Sequence, residues 1–285
     1  MKKILVTGST GFLGNYVIKY LLSNNYKVMA TSSSEENAKQ KEWFKQVNYI
    51  SFNLNSIDPN KNYFNFFQEP DLLIHLAWEG LPNYKSDFHT KINLPLQSLF
   101  LNNLIDNGLN DITITGTCFE YGMKEGCLSE DMGVHPANPY AVAKNELCKY
   151  LQQLQKNSSF NLKWVRLFYM YGFGQNPNSL LSQLDSALDK NEKVFNMTGG
   201  QQVRDYLPVE TVAEYVVKIA LQNKIQGVIN CCSGNPVTVE KFVREYLEKK
   251  NKKISLNLGY YPYPDFEPMA FWGDNKKLKR IINNE

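Results

Sequence analysis

Seven short apolar runs recur along the chain: Ile4-Leu5-Val6, Val28-Met29-Ala30, Tyr49-Ile50-Ser51-Phe52, Leu72-Leu73-Ile74, Ile112-Thr113-Ile114, Trp164-Val165-Arg166-Leu167 and Val228-Ile229-Asn230. Strands buried on both faces need no polar alternation, and parallel strands are joined by helices. The runs therefore predict an α/β fold, a parallel sheet with helices on both faces. Between the first two runs, Phe12, Leu13, Tyr16, Val17, Tyr20 and Leu21 recur at three- and four-residue spacing, one face of a helix. Beyond Leu167 the pattern loosens, and Gly172-Phe173-Gly174, Gly199-Gly200 and Tyr260-Tyr261-Pro262-Tyr263-Pro264 punctuate shorter elements. Residues 1–167, with a returning segment near 203–232, are expected to build the sheet core. Residues 168–202 and 233–285 are expected to form a small C-terminal lobe over its carboxyl edge.

The turn after the first run reads Thr7-Gly8-Ser9-Thr10-Gly11-Phe12-Leu13-Gly14. Glycines between a strand and a helix let the backbone turn tightly and let a pyrophosphate approach the helix N-terminus. The spacing is G-x-x-G-x-x-G, and its place makes Gly8, Thr10, Gly11, Phe12, Leu13 and Gly14 the expected dinucleotide contacts of a doubly wound, Rossmann-type sheet. At the end of the second strand, where NAD-binding proteins usually place a carboxylate on the ribose, the chain reads Thr31-Ser32-Ser33-Ser34. No carboxylate there repels a 2′-phosphate, Ser32 and Ser33 have hydroxyls to donate, and Lys39 or Lys41 supplies charge. NADP(H) is favoured on these grounds, with NAD(H) the alternative; the other use of such serines is to cap the next helix.

Composition narrows the remaining classes. The 285 residues, 43% of them apolar, suffice for one large domain without staples. Basic and acidic residues, 31 and 28, are mixed along the chain for a formal net charge of +3, and no block of like charge offers a nucleic-acid footprint. The five cysteines (Cys118, Cys127, Cys148, Cys231 and Cys232) lack CxxC or Cys/His zinc spacing and read as reduced thiols, with no metal expected. The first 25 residues hold no apolar core of signal-peptide type. No run of about 18 apolar residues occurs either, so a soluble, cytoplasmic protein without a membrane partner is expected.

His75-Leu76-Ala77-Trp78, Tyr140-Ala141-Val142-Ala143-Lys144 and Arg204-Asp205-Tyr206 follow the glycine turn in order. This succession resembles the extended short-chain dehydrogenase/reductase family, in its nucleotide-sugar epimerase, dehydratase and reductase branch, over nearly the whole chain. The resemblance implies Asn53, Leu54, Leu76, Ala77, Trp78 and Thr115 as further cofactor contacts, alongside Tyr140 and Lys144. It also implies a catalytic set of Thr117, Tyr140 and Lys144, a nucleotide-sugar substrate and a homodimer built on the helices around Leu96–Leu104 and Tyr140–Leu154. Residues four apart share a helix face, so Lys144 is expected beneath the Tyr140 hydroxyl, where an ammonium favours the phenolate. Bringing a tyrosine from near 10 to neutrality takes about 4 kcal/mol of differential stabilisation, shared with the positive charge of an oxidised nicotinamide. Tyr140 can then give or take a proton while a carbinol carbon trades hydride. In Thr115-Gly116-Thr117-Cys118-Phe119-Glu120-Tyr121-Gly122 the family register assigns the substrate-oxygen contact to Thr117, with Thr115 the fallback.

Dehydratases of this branch resemble Thr-Asp-Glu where this chain has Thr117-Cys118-Phe119, so the acids for dehydration are missing. Fucose-type synthases carry a cysteine two places after the catalytic hydroxyl, and Phe119 stands there; Cys118 reads as a small buried hydrophobe. A 4-keto-reductase consuming NADPH and a 4-epimerase keeping NAD bound both fit, and the residues after the second strand favour reduction of a nucleoside-diphosphate 4-keto-6-deoxyhexose. A dinucleotide-binding regulator without turnover is the non-enzymatic alternative. The planar fork of Arg204 suits a pyrophosphate. Tyr169 stands where the family commonly has the Asn of its substrate-phosphate contact. His75 reads as a structural anchor, while Trp78, Glu79 and Lys85 occupy the loop expected to face substrate, and Tyr260–Pro268 is expected either to close over the base or sugar or to pack as an exposed loop.

Overall fold

The computed structural model describes residues 2–283, and within it all seven apolar runs lie in strands of one parallel sheet. The strands are β1 (Lys3–Thr7), β2 (Lys27–Ser32), β3 (Asn48–Ser51), β4 (Leu72–His75), β5 (Asp111–Thr117), β6 (Asn161–Leu167) and β7 (Gly227–Cys231), in spatial order β7-β6-β5-β4-β1-β2-β3. Chain order reverses at β1, which lies between β2 and β4 with Thr7 in register with His75. Ligands of open α/β sheets bind at such a switch point, beyond the carboxyl ends of the strands.

Helices cover both faces, as apolar strands without alternation require. One face is packed by α1 (Phe12–Ser23), through Leu13, Val17, Ile18 and Leu21. The other is packed by α2 (Leu94–Asp106) and α3 (Pro139–Leu154), through Phe100, Leu104, Leu147 and Leu151. The lobe has its own small core, formed where α4 (Leu180–Asp189) and α6 (Val239–Lys249) flank the paired strands Val194–Asn196 and Ser255–Asn257. Between them, α5 (Val209–Leu221) packs on the α1 face. The terminal α7 (Lys276–Ile282) also returns to that face, burying Leu278 and Ile281, although it lies within the stretch expected in the lobe.

Candidate active site

The glycine turn owes its shape to missing side chains. Gly8 adopts φ +66°, and a Cβ there would lie 2.8 Å from the Ala77 nitrogen; one on Gly14 would lie 2.1 Å from the Gly8 carbonyl. The strand ends are tied across the switch point, since the Thr7 hydroxyl meets His75 Nδ1 at 2.8 Å and accepts from Leu76 N at 3.2 Å. His75 Nε2 pairs with Gln97, and burial holds the imidazole neutral, its pKa down to about 3. It is an anchor of the turn after β4.

Beyond the turn lies a cavity of about 210 Å³ that brings together Gly8, Thr10, Gly11, Ser32, Ser33, Leu54, Leu76, Ala77 and Trp78. Thr31, 2% exposed, also lines it, and its hydroxyl has no partner. Asn53 is not brought in: it is exposed, and its side chain accepts from Asn55 N at 3.0 Å, leaving Asn55 on the cavity wall. Among the described residues no lysine or arginine lines this cavity, and Glu79 is its charged member. Lys39 is engaged by Glu35 at 2.8 Å, and Ser34 caps the short helix Glu35–Lys39 by accepting from Asn37 N. Ser32 Oγ is hydrogen-bonded to the Tyr49 hydroxyl at 2.9 Å. The bare turn, the orphaned Thr31 hydroxyl and the neighbouring Thr10, Ser32 and Ser33 fit a dinucleotide.

A second cavity, about 580 Å³, adjoins the same turn through Gly8, Gly11, Phe12, Leu13 and Gly14, and holds Trp78, Thr115, Thr117, Tyr140, Lys144 and Tyr169. Asn138 caps α3 by accepting from Ala141 N at 2.9 Å and Pro139 starts it, so Tyr140 sits in its first turn and Lys144 one turn on. Lys144 is 2% exposed; its Nζ donates to the Thr115 carbonyl at 2.8 Å and lies 4.0 Å from the centre of the Trp78 ring. Burial pulls its pKa down to about 7, against the opposing charge of Glu120. Burial, and then Tyr84, Glu120 and Cys118, push the Tyr140 phenol far above its ordinary value, with a hydrogen bond from Thr117 working the other way. Cys118 is buried and its thiol is held protonated, as befits a packing residue.

Glu120 is a buried carboxylate beside the site that sequence reasoning passed over. Its fully buried carboxylate accepts from Thr117 N at 2.8 Å, Trp164 Nε1 at 3.0 Å and Arg166 Nε at 2.7 Å. The signal was present as the capping box Thr117-x-x-Glu120.

A third cavity, about 530 Å³, continues from the second through shared walls at Tyr84, Tyr169, Met170, Gln175 and Asn176, and holds Arg204. The Arg204 fork is already engaged. Nη2 and Nε donate to Glu267 Oε2 at 2.8 and 3.2 Å, and Nη1 donates to the Val203 and Met269 carbonyls. Tyr169 donates to the same Glu267 oxygen at 2.6 Å. Glu267, Tyr261 and Pro264 bring the proline-rich segment onto the cavity wall, while Phe266 packs on Tyr84 and Phe119. Lys85 does not line these cavities; it pairs with Asp265 at 3.1 Å on the surface. Among the described residues, no cluster of three His, Cys, Asp or Glu is placed to hold a metal, and no helix is long and apolar enough to cross a membrane.

A strand-order switch, a bare glycine turn and Thr117, Tyr140 and Lys144 around one cavity define an enzyme of the extended short-chain dehydrogenase/reductase class. Residues 4–232 match the NAD dependent epimerase/dehydratase family, and the chain belongs to it. Among its relatives is dTDP-6-deoxy-L-talose 4-dehydrogenase (NAD(+)) of Aggregatibacter actinomycetemcomitans, 27% identical over 271 residues, covering 95% of this chain and 98% of the relative. GDP-6-deoxy-D-talose 4-dehydrogenase of the same organism is 25% identical over 291 residues, covering 99% and 92%. The structure of UDP-glucuronic acid 4-epimerase from Bacillus cereus, in complex with UDP-glucuronic acid and NAD, superposes with a TM-score of 0.83 at 24% identity, over 99% of this chain and 93% of that one.

Proposed function

We propose that the enzyme reduces the 4-keto group of a nucleoside-diphosphate 6-deoxyhexose with a nicotinamide cofactor. The observation that carries this reading is the single cavity shared by the glycine turn and Thr117, Tyr140 and Lys144. The bound nicotinamide supplies hydride to the sugar carbon. Tyr140 gives its phenolic proton to the carbonyl oxygen, Thr117 hydrogen-bonds that oxygen, and the Lys144 ammonium favours the phenolate left behind. The two talose 4-dehydrogenase relatives support chemistry at C4 of a 6-deoxyhexose. The third cavity, continuous with the second, has room for the nucleotide, with Tyr169 and Arg204 as its substrate-facing residues.

The preference for NADP(H) drawn from the serines finds no support in the side chains, because no cation lines the corner where a 2′-phosphate would lie and Lys39 is committed to Glu35. We propose NAD(H) instead, a reading the NAD-bound epimerase and the NAD(+)-named relative favour. The exposed apolar side chains Ile92, Leu99 and Tyr150, on and beside α2 and α3, support a homodimer through these helices.

Purified protein is to be mixed with dTDP-4-keto-6-deoxyglucose, and with its 6-deoxymannose-type counterpart, in the presence of NADH or NADPH. Stoichiometric loss of NADH is expected with one of the keto sugars. No loss despite tight cofactor binding, together with interconversion of a UDP-hexose and its C4 epimer, would replace the reductase by an epimerase.

A further inference from the structure

We propose that Glu120 is a positioning residue of the catalytic centre, one whose buried carboxylate fixes the main chain of Thr117 and sets the electrostatic field around Lys144 and Tyr140. The inference rests on the proposed hydride chemistry only for its kinetic arm.

The geometry is specific. Glu120 lies in the turn directly after β5, fully buried, and its two oxygens receive hydrogen bonds from Thr117 N, Trp164 Nε1 and Arg166 Nε. Trp164 and Arg166 both stand on β6, in register with Ile114 and Gly116 of β5, so the carboxylate is clamped from the neighbouring strand. The Thr117 main chain is thereby held in place, and the same residue lines the cavity, its hydroxyl accepting from Phe119 N at 3.3 Å and leaving its proton to donate. A capping box alone would explain the bond to Thr117 N, but not a carboxylate sunk between a tryptophan and an arginine. An ion in the low-dielectric interior is costly unless fully partnered, and Arg166 keeps Nη1 without a partner, so the pair is not arranged for stability alone.

The charge reaches the catalytic pair. Lys144 is faced by Glu120 from the turn after β5, by His75 at the end of β4 and by His89 from the helical turn that leads into α2, both imidazoles having pKa values lowered by burial. Tyr140 is faced by Tyr84, Glu120 and Cys118. Glu120 itself is faced by Arg166 and, from α3, by Cys148. Of the groups facing Lys144, Glu120 is the carboxylate, and its charge favours the ammonium. The same negative charge favours the neutral phenol. Removing it therefore lowers the pKa of both groups, which a purely structural role does not predict.

The test uses the full-length protein in two variants. Glu120→Gln keeps the shape and removes the charge. Glu120→Gln/Arg166→Met removes the buried pair together and provides a second arm if the single variant does not fold. Lys144 is titrated directly by NMR of labelled lysine side chains in the cofactor-free protein, with the pH profile of keto-sugar reduction measured alongside. In Glu120→Gln the Lys144 midpoint is expected to fall by about one pH unit or more, and the alkaline limb of the reduction profile to move the same way. In the double variant, where a cation leaves with the carboxylate, the fall is expected to be smaller but in the same direction, because Glu120 and not Arg166 is the charge that acts on Lys144. A Lys144 midpoint unchanged in a folded variant would overturn the proposal, whatever the activity. A shifted midpoint in a protein that reduces no keto sugar would uphold the electrostatic role and count against the proposed reaction instead.

Discussion

Tyr140 carries the sharpest consequence of the site. Its hydroxyl is the proposed proton donor, and it lines the cavity beside the glycine turn without shaping that turn. Tyr140→Phe is expected to lower kcat by at least about a hundredfold while leaving the Kd for NADH within about threefold, by stopped-flow and fluorescence titration. Retained turnover would remove Tyr140 from the chemistry. Lys144 illustrates the cost of such a site. Its folded pKa of about 7 lies below the ordinary lysine value, so the unfolded chain binds the extra proton between the two and stability rises with pH through that window. Lys144→Met is expected to abolish turnover and raise Tm by about 5 °C at pH 7, with the gain vanishing above about pH 10. Glu267 is the third case, because it holds the Arg204 fork that would otherwise meet a diphosphate. Glu267→Gln is expected to tighten nucleoside-diphosphate binding roughly fivefold, about 1 kcal/mol, by calorimetry at low salt. Tyr140 and Lys144 were legible in the sequence because their relation is local, and the four-residue spacing does bring them to one cavity. The expected lowering of the phenol by Lys144 is not seen: burial raises it, and the ammonium is spent on the Thr115 carbonyl and the Trp78 ring. Glu267 was not legible, because it reaches Arg204 across 63 residues, and the partners of Glu120 on β6 lie 44 and 46 residues away.

At the scale of elements, the glycine turn couples β1 to α1 and to the strand that follows it in space. A Cβ on Gly14 meets the Gly8 carbonyl, a backbone atom that cannot rotate away. Gly14→Ala is therefore expected to cost about 2–3 kcal/mol in chemical denaturation and to abolish NADH binding. Binding at wild-type affinity would show that the turn has another way to open. The seven strands were readable because a doubly covered parallel strand must be apolar along its length. The lobe was less so. Its strand Val194–Asn196 is three residues long and pairs with Ser255–Asn257, and so short a segment carries no period of its own. For the same reason the sequence did not show that α7 leaves the lobe to cover the sheet.

The whole molecule joins a parallel sheet to a lobe that supplies Tyr169 and Glu267, with Arg204 on the segment that leads back to the sheet through α5, and its three adjoining cavities run from the end of β2 past the glycine turn and Tyr140 toward Arg204. If Ile92, Leu99 and Tyr150 meet a second copy, sedimentation will give a dimer, and Leu99→Asp will give a monomer that still binds NADH. A monomeric wild-type protein would leave that face without the proposed partner. Reduction at C4 is tested most directly by the fate of one hydrogen. With NADH carrying deuterium at the reactive nicotinamide carbon and the 4-keto sugar nucleotide as acceptor, NMR and mass spectrometry of the product should find one deuterium, at C4 of the hexose. A product without deuterium, or with it at another carbon, would contradict reduction at C4 and require a different chemistry for Thr117, Tyr140 and Lys144.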